Sequence, residues 1–521
     1  MIAQVPVVIP IPTQDTIKVI EIVRGRSMRF KTIDSLTTLE TLAGDAMVKQ
    51  GNTTLAADSI VINRRTSIAE AFGNVKINDA DSVFTTARYL KYIGKERIAY
   101  LKDKVVFTDH KGVLQTDELE YNLRTGIATY MNGGKITTDK TVLTSKEGVY
   151  YSDTKDVYFK KNVHLVDAKY NLQSDSLLYN TQTQIATLIA PTHIVSKEGI
   201  IDAKSGTYNL KTGQALFTDR ATFKDEDHSL IADTWAFDEA TGILQTTGKS
   251  KLVDSINNVT VLANTIFLNK KENSFLAYNK PVMILYRDND STYIAADTLF
   301  SGLRKYDSLA KKEKVQKDTL KKAAAINTNT TDSSIRYFLA FNHVRIFNDS
   351  LQAVCDSFYY AGDDSTFKLF REPIVWNDKT QVTGDTIYLF TERQKAKRLY
   401  VFYNGMVINQ ANKQLYNQIG GRTLNGYFVD GNIDYMRVKG SPAESISYPQ
   451  DDDSAYTGMN RSRSDLIDIY FANKDVNKVK FVNDVNGILY PIRQIPEDQK
   501  FLKNFKWQDN RRPRNKLELF E

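Results

Sequence analysis

Apolar and polar residues alternate along most of this chain in short runs that end at turn-forming residues. In the stretch "GNVKI" the apolar Val75 and Ile77 alternate with the polar Asn74 and Lys76, and "DKVVF" and "KNVHL" repeat the form further along. Side chains two residues apart in a strand point to the same face. The alternation therefore predicts strands of about five to eight residues, each with one apolar face.

The strand pattern recurs with a period of about 29–30 residues. The second apolar residue of the short motif recurs at intervals of 29 to 32 residues, apart from one interval of 62, as Ile77, Phe107, Ile136, Leu165, Ile194, Phe223, Leu252, Ile284, Ile346, Trp376 and Ile408. The long interval contains the lysine-rich insertion 303–334. One such unit cannot bury its own apolar row, but stacked units can. We therefore predict an all-β, solenoid-like array of repeats.

A second motif, an apolar residue followed two positions later by a small residue and Asp, recurs at about twice this period. Its members end at Asp58, Asp117, Asp175, Asp233, Asp297 and Asp356. A calcium-binding ladder would require denser Gly-Asp repeats. We interpret these carboxylates as acceptors for backbone N–H groups at turns or bulges.

The recurrent apolar positions form two predicted stripes inside the array. The inward-facing set is Leu55, Val75, Ile77, Val105, Phe107, Leu114, Ile136, Val163, Leu165, Leu172, Ile194, Phe223, Leu230, Leu252, Ile284, Ile294, Ile346, Trp376 and Ile408. These stripes form either the dry core of a structural or adhesive β-solenoid or the lining of an apolar, lipid-sized groove. Small residues at Gly134, Thr192, Ala221 and Ser250, where Val75 and Val105 stand in other units, leave room and favour the groove.

Composition excludes several other classes of function. The net charge of +7 is spread over 69 basic and 62 acidic residues, unlike the clustered charge of a nucleic-acid-binding protein. Cys355 is the only cysteine, so no internal disulfide exists. The five histidines lack partners at metal-ligand spacing, and no nucleotide-binding or nucleophile motif occurs. We expect no cofactor, no metal and no enzymatic activity; a carbohydrate-active β-helix would need carboxylates clustered on one outer face.

The stretch "GDAMVKQGNTTLAADSIVINRRTSIAEAFGNVKI", from Gly44 to Ile77, resembles the OstA-like (organic solvent tolerance) family of LptA-type proteins. The shared elements are a Gly-x-x-x-Val start, "LAAD", an apolar strand and the closing "EAFGNVKI". The resemblance is good over residues 40–300 and weaker to about 410. It implies an elongated antiparallel β-jellyroll, V-shaped in section, whose interior holds the acyl chains of lipopolysaccharide. It also implies a periplasmic location in a Gram-negative cell, with outer-membrane association as an alternative.

The resemblance further implies partners that dock on sheet edges. These would be other lipopolysaccharide-transport proteins, or a second copy end to end, added as strands near residues 20–50 and beyond 410. We expect an N-terminal segment over 1–40, repeats over 41–302 and 335–410, divergent repeats over 411–490 and a basic, aromatic tail over 491–521. The first residues show no complete secretory signal. The tail is predicted to be solvated or to cap an edge, with Trp507, Arg511, Arg512 and Arg514 as candidates for an anionic-lipid or partner patch.

Overall fold

The computed structural model describes residues 19–138, 140–286, 291–305, 334–361, 365–392, 395–472 and 475–520. Within these ranges the regular elements are antiparallel strands and four short 3-10 helices. The predicted all-β class is confirmed. The chain divides into two compact units, 1–223 and 224–521, which are described one at a time. Most of the predicted insertion, 306–333, lies outside the described residues.

The first unit is built from nineteen strands, and a twentieth contains the boundary. Their bounds are β1 Glu21–Arg24, β2 Ser27–Asp34, β3 Thr37–Gln50, β4 Thr53–Asn63, β5 Ile68–Asp79, β6 Val83–Ile93, β7 Ile98–Thr108, β8 Val113–Asn122, β9 Ile127–Tyr130, β10 Gly134–Thr138, β11 Thr141–Ser145, β12 Glu147–Tyr151, β13 Asp156–Val166, β14 Tyr170–Asn180, β15 Ile185–Leu188, β16 Thr192–Ser196, β17 Gly199–Ala203, β18 Ser205–Asn209, β19 Gln214–Thr218 and β20 Thr222–Lys224.

The second unit is also built from antiparallel strands and ends in 3-10 turns. Its strands are β21 His228–Ile231, β22 Thr234–Asp238, β23 Ile243–Asp254, β24 Val259–Asn269, β25 Ser274–Tyr278, β26 Val282–Leu285, β27 Thr292–Ala295, β28 Thr298–Lys305, β29 Ser334–Phe347, β30 Gln352–Ala361, β31 Thr366–Phe370, β32 Ile374–Asn377, β33 Thr380–Thr383, β34 Thr386–Glu392, β35 Lys395–Gln410, β36 Tyr416–Val429, β37 Asn432–Ser447, β38 Gly458–Ala472, β39 Asp475–Val482 and β40 Asn486–Pro491. The 3-10 helices are Ile492–Gln494, Glu497–Gln499, Asp509–Arg511 and Lys516–Phe520.

Most repeats turn a corner at the pair of residues that opens the short motif; at Asn132–Gly133 only Gly133 has a positive φ angle, and at Ala190–Pro191 neither residue does. In β5, Gly73 and Asn74 have φ angles of 71° and 43°, and the register with β6 shifts between Phe72 and Val75. A bulge of this kind bends a strand sharply. The same positive-φ pair recurs as Asp103–Lys104, Lys161–Asn162, Asp219–Arg220, Gly248–Lys249, Asn279–Lys280, Asn342–His343, Arg371–Glu372 and Tyr403–Asn404. The repeat is therefore a strand folded at a bulge, with one arm in each of two facing layers.

The recurrent aspartates stabilise these corners. The Asp58 carboxylate accepts hydrogen bonds from Asn74 Nδ2 at 3.1 and 3.0 Å, and Asp356 accepts one from Arg371 at 2.9 Å. Both donors belong to positive-φ pairs. The two aspartates lie beside bulges, as predicted, but the donors here are side chains and not the backbone N–H groups that the sequence analysis expected.

Turns at the free ends of the arms are closed by side chains that recur with the same period. Asn122 Oδ1 accepts hydrogen bonds from the backbone N–H groups of Arg124 and Thr125, at 3.0 and 3.1 Å. Asn180 and Asn209 bind the N–H groups two and three residues on in the same way. These side chains mimic a backbone turn, which is why Asn is favoured here.

Several strands of the second unit are buried on both faces. Cross-strand pairing places one inner row of buried residues on one face: Leu230, Leu252, Val261, Met283, Ile294 and Ile346. The opposite face, here called the strap face, carries the paired residues Ile284, Tyr293, Phe347, Gln352, Trp376, Gln381, Ile408, Gln418 and Ile446. Runs that are apolar at consecutive positions are typical of strands covered on both sides.

The cover on the strap face is the C-terminal segment 499–520, here called the strap. Leu502 packs among Met406, Ile408 and other residues of the strap face. Leu519 packs against Val282 and Ile284. As the strap runs toward its end it therefore crosses progressively earlier strands. The predicted solvated or edge-capping tail is corrected: the tail lies on a sheet face because that face is apolar.

Candidate functional site

The first unit contains a continuous apolar row between its two layers. Strand pairing joins the row in order as Leu55, Ile77, Thr85, Phe107, Leu114, Ile136, Leu143, Leu165, Leu172 and Ile194. All of these residues are buried. The predicted positions in this unit therefore share one face, and the 29-residue period arises because each repeat adds one pair of strands.

A second inner row lies nearer the corner and contains Val75, Val105 and Val163. Each is at most 1% exposed. Their cross-strand partners are smaller residues, such as Ala87 and Thr116. Phe223, the last predicted position of this unit, is only half-buried in β20.

The small residues of the inner rows do not leave empty space, contrary to the expectation from the sequence. A Cβ atom added at Gly134 would lie 2.5 Å from the Tyr130 ring, and one at Gly148 would lie 2.4 Å from it. The Tyr130 hydroxyl also hydrogen-bonds with Ser145 Oγ at 2.6 Å. At Thr192 the side chain bonds to Ser174 at 3.0 Å. An aromatic ring and hydroxyl pairs fill the slots, so these residues are small because their neighbours are large or polar.

Tyrosines of one layer reach across to the other layer in successive repeats. Tyr92, Tyr121, Tyr150 and Tyr179 are 29 residues apart, and their hydroxyls contact Gln50, Asp79, Asp109 and Thr138, respectively. The Tyr121–Asp79 hydrogen bond is 3.0 Å long, and the Tyr179–Thr138 contact is 3.3 Å. We call these four contacts the tyrosine clasp. Sequence analysis missed the clasp, although the 29-residue tyrosine period was there to be found.

The carboxylate of Asp109 is the more enclosed of the two carboxylate acceptors of the clasp. Burial disfavours its ionised form, but hydrogen bonds from Tyr150 and from the N–H groups of Gly112 and Lys111 outweigh burial and lower its pKa. Lys155 Nζ lies 3.7 Å from the carboxylate and adds to this effect. The pKa of the Tyr150 hydroxyl is raised by burial and by the same carboxylate. The pair is therefore a neutral phenol donating to an ionised carboxylate.

The space between the layers is small in this conformation. The Phe107 ring lies edge-on between Tyr121 and Tyr150, with centroid distances of 5.4 and 5.5 Å. One apolar cavity, of about 20 Å³, lies between Leu165, Ile194 and neighbouring side chains. An acyl chain of ordinary length does not fit there unless the layers separate.

Three predicted lining residues of the second unit are not on the inner row. Ile284, Trp376 and Ile408 belong to the strap face, whereas Leu230, Leu252, Ile294 and Ile346 lie on the inner row. The residue of the inner row in β26 is Met283. The positive-φ pair before β26 is Asn279–Lys280, so the inner position that Ile77 occupies three residues after Asn74 falls on Met283, and Ile284 points to the other face.

Three glutamines bind the strap to this face. Gln418 donates to Lys500 O at 2.9 Å and accepts from Leu502 N at 2.8 Å. Gln381 makes the same two contacts with Lys506 O, at 2.7 Å, and Gln508 N, at 2.8 Å.

The third glutamine, Gln352, accepts a hydrogen bond from Arg512 Nε at 2.8 Å. Of the four tail residues proposed for a lipid or partner patch, Arg512 is therefore engaged on the chain itself, and Trp507 packs against Tyr416 at 5.4 Å.

Other chemistry is sparse in the described ranges. No group of three or more His, Cys, Asp or Glu side chains there could hold a metal ion, and no helix is long and apolar enough to cross a membrane. Burial raises the pKa of Cys355 to about 12, so its thiol is protonated at neutral pH. His193 lies on the outer surface beside Asp202, at 2.7 Å.

The matches of this chain to known family models lie within the first unit. Residues 19–175 match the family model described as OstA-like protein. This part of the chain is OstA-like. The match contains three of the four clasp tyrosines, Tyr92, Tyr121 and Tyr150, and ends within β14, before Tyr179. Residues 129–223 also match the model described as lipopolysaccharide-assembly, LptC-related. These matches support a role in lipopolysaccharide transport, in a family that is generally periplasmic and non-enzymatic.

Two further searches add little to the family assignment of the OstA-like unit. The search of curated proteins found no match. Among solved structures, the LptA-homologous periplasmic protein LptH of Pseudomonas aeruginosa aligns with 14% identity over 32% of this chain and 80% of its own, with a TM-score of 0.10. At that score the alignment carries no argument about this chain.

Proposed function

We propose that the OstA-like unit binds the acyl chains of lipopolysaccharide and shields them from water during transport in the periplasm. The observation that supports this best is the unbroken inner row from Leu55 to Ile194, which continues through ten cross-strand neighbours. Each methylene buried against such a row contributes about 0.8 kcal/mol. The sugars and phosphates of the lipid would remain outside, in water.

The outer face of the same strands supports this polarity. The paired outward residues are Lys76, Thr86, Val106, Gln115, Lys135, Thr144, His164, Gln173, His193 and Asp202. All but Val106 are polar, and all are exposed or half-buried. The next outward row carries the exposed Val113, Val166, Val195 and Ile200, but Thr137 and Asn171 interrupt it. The space between the layers is therefore the more continuous apolar surface for a ligand.

The test places a photo-crosslinking residue at Ile136 in one variant and at Lys135 in a control. Ile136 is 4% exposed on the inner row, and Lys135 is its exposed neighbour on the same strand. We expect lipopolysaccharide adducts in cells from position 136 and not from position 135. Adducts at neither position, from a folded and exported protein, would contradict the proposal.

The second candidate is a structural β-solenoid whose interior stays dry. The cavity of about 20 Å³ favours it, since a closed interior needs no ligand. The same pair of variants separates the two functions, because a dry solenoid gives no adduct at position 136 while folding normally.

We further propose that the terminal strands dock other transport proteins or a second copy of the chain. All eight residues of β2 are exposed, and Phe30 is 65% exposed. In the second unit, Leu489 in β40 is 67% exposed. Exposed apolar strands at a sheet terminus favour addition of a further strand.

Proline substitution tests this docking. Alternate N–H groups of an edge strand point away from the sheet, so separate Arg29→Pro and Phe30→Pro variants sample both directions. We expect one of them to abolish end-to-end association, measured as molar mass by light scattering. Phe30→Thr, which keeps the backbone donors, is the control. Unchanged association in both proline variants would exclude this edge.

A further inference from the structure

The tyrosine clasp occupies a specific place in the cross-section of the first unit. Asp79 is the last residue of β5, six positions beyond the bulged corner at Gly73. Tyr121 is next to the last residue of β8. Both ends of each clasp contact therefore lie at the free tips of the two arms, opposite the corner. The clasp closes the side of the unit at which the two layers would otherwise part.

The clasp is a repeated device rather than an isolated contact. Each tyrosine reaches an acceptor 41 or 42 residues earlier in the chain, in four successive repeats. Two acceptors are carboxylates, and hydrogen bonds to charged acceptors are stronger than neutral ones. Tyr121 and Tyr150 are 2% and 5% exposed, so water does not compete freely for their hydroxyls.

Because the interior is packed, a closed clasp leaves no room for a ligand to enter between the layers. The rings of Tyr121 and Tyr150 enclose Phe107, and the apolar cavity of about 20 Å³ beside Leu165 and Ile194 is far too small for an acyl chain. Acyl chains can enter sideways only if the arm tips separate. Separation breaks the clasp contacts but leaves the corner bulges and the strand ladders intact.

We propose that the tyrosine clasp is a lateral gate, which opens repeat by repeat to admit acyl chains and closes behind them. This inference rests on the proposed function of the unit. It assigns the entry route to the side of the array and not to its ends. It also assigns a role to the hydroxyl groups, since phenylalanine at these positions would supply the same ring without the closing contact.

The first experiment locks the gate in the full-length protein carrying Cys355→Ala and the photo-crosslinking residue at position 136. Asp79→Cys and Tyr121→Cys are introduced together and joined by a short thiol-reactive crosslinker that spans the two layers. The control pair is Lys102→Cys with Glu118→Cys. Those residues are exposed and face each other on adjacent strands, with Lys102 Nζ 3.0 Å from Glu118 Oε1. A crosslink between them therefore does not connect the arm tips.

Purified lipopolysaccharide is added after crosslinking, and adducts at position 136 are counted. We expect at least a tenfold loss of adducts in the locked clasp relative to its uncrosslinked form, and no loss in the control pair. Full adduct yield in the locked protein would overturn the gate and leave the proposed function standing. No adduct in any protein, including the unlocked ones, would overturn the proposed function, and the gate with it.

A second experiment loosens the gate without changing its shape. Tyr121→Phe combined with Tyr150→Phe removes two clasp hydroxyls and keeps the rings. We expect severalfold faster adduct formation. Tyr130→Phe is the matched control, because it also loses a buried hydroxyl contact, to Ser145, but next to the corner-side Gly134. Equal acceleration in the control, or none in the double variant, would count against the gate.

Discussion

The two units use the outer faces of their strands in opposite ways. In the first unit the outward row from Lys76 to Asp202 is polar and open to water. In the second unit the strap face, with Trp376 and Ile408 fully buried, is apolar and covered by the strap. Similar repeat patterns thus produce a sheet buried on one face and a sheet buried on both. The difference shows that an apolar outer face indicates a covering segment elsewhere in the chain.

The hydrogen bonds that close the first unit and those that hold the strap on the second unit also differ in chemistry. The first unit closes its layers with tyrosines that donate to carboxylates, among other acceptors. The second unit holds its strap with neutral glutamine side chains that pair with backbone groups.

The largest effect should come from removing the strap, residues 499–520. The deletion exposes the Trp376 and Ile408 side chains and removes the packing of Leu502 and Leu519. We expect the second unit to lose at least about 5 kcal/mol of unfolding free energy and to bind a hydrophobic dye. Denaturant unfolding, monitored by hydrogen exchange, measures the unfolding free energy of each unit separately. A second unit that keeps its stability would show that the strap is not a structural cover.

A single substitution should reproduce part of this loss. Leu502→Ala leaves a cavity in a cluster where Leu502 is 4% exposed, and we expect a loss of about 2–5 kcal/mol. Leu517→Ala is the control within the strap, because Leu517 is 67% exposed. Urea melts of both variants measure the difference. Equal losses of unfolding free energy in the two variants would mean that burial of the Leu502 side chain does not account for the loss.

Loss of one glutamine clamp should have a smaller effect. Gln381→Ala removes the partner of Lys506 O and Gln508 N, and we expect a cost of about 1–3 kcal/mol. Gln115→Ala, on the exposed outer row of the first unit, should change the unfolding free energy by less than about 0.5 kcal/mol. Chemical denaturation of both variants provides the comparison.

The smallest expected effect is a pH dependence of the clasp in the first unit that the glutamine clamps of the second unit do not share. The folded pKa of Asp109 is lowered, so its contribution is present above the unfolded value of about 3.9 and is lost as the pH falls through the folded value. We expect acid to weaken the clasp, whereas the glutamine clamps do not titrate. Hydrogen exchange followed from pH 6 to below the unfolded value of about 3.9 reports both regions. Asp109→Asn should remove the pH dependence from this site.

The repeat could be predicted from the sequence because its determinants are local. The positive-φ pairs, the Asn-closed turns and the alternating Val75 and Ile77 all act within one repeat, so a fixed period exposes them. The all-β class follows directly. Whether the inner row binds lipid remains a prediction.

The faces of the second unit could not be predicted from the period alone. The inner position lies three residues after the positive-φ pair, and spacing alone did not locate that pair before β26, which is why Ile284 was assigned to the wrong face. The strap depends on contacts that join residues 82 to 173 positions apart, such as Gln418 with Lys500 and Arg345 with Glu518. No local pattern encodes such contacts.

The direction of the strap has a consequence for how the protein is made. Strands from Val282 onward emerge from the ribosome before the strap does, and Leu519, which packs on the earliest of these strands, is made after all of them. Until then the strap face has no cover, and a growing or partly exported chain presents a broad adhesive surface. Chains cut short before the strap would therefore be recognisable to chaperones and proteases as unfinished.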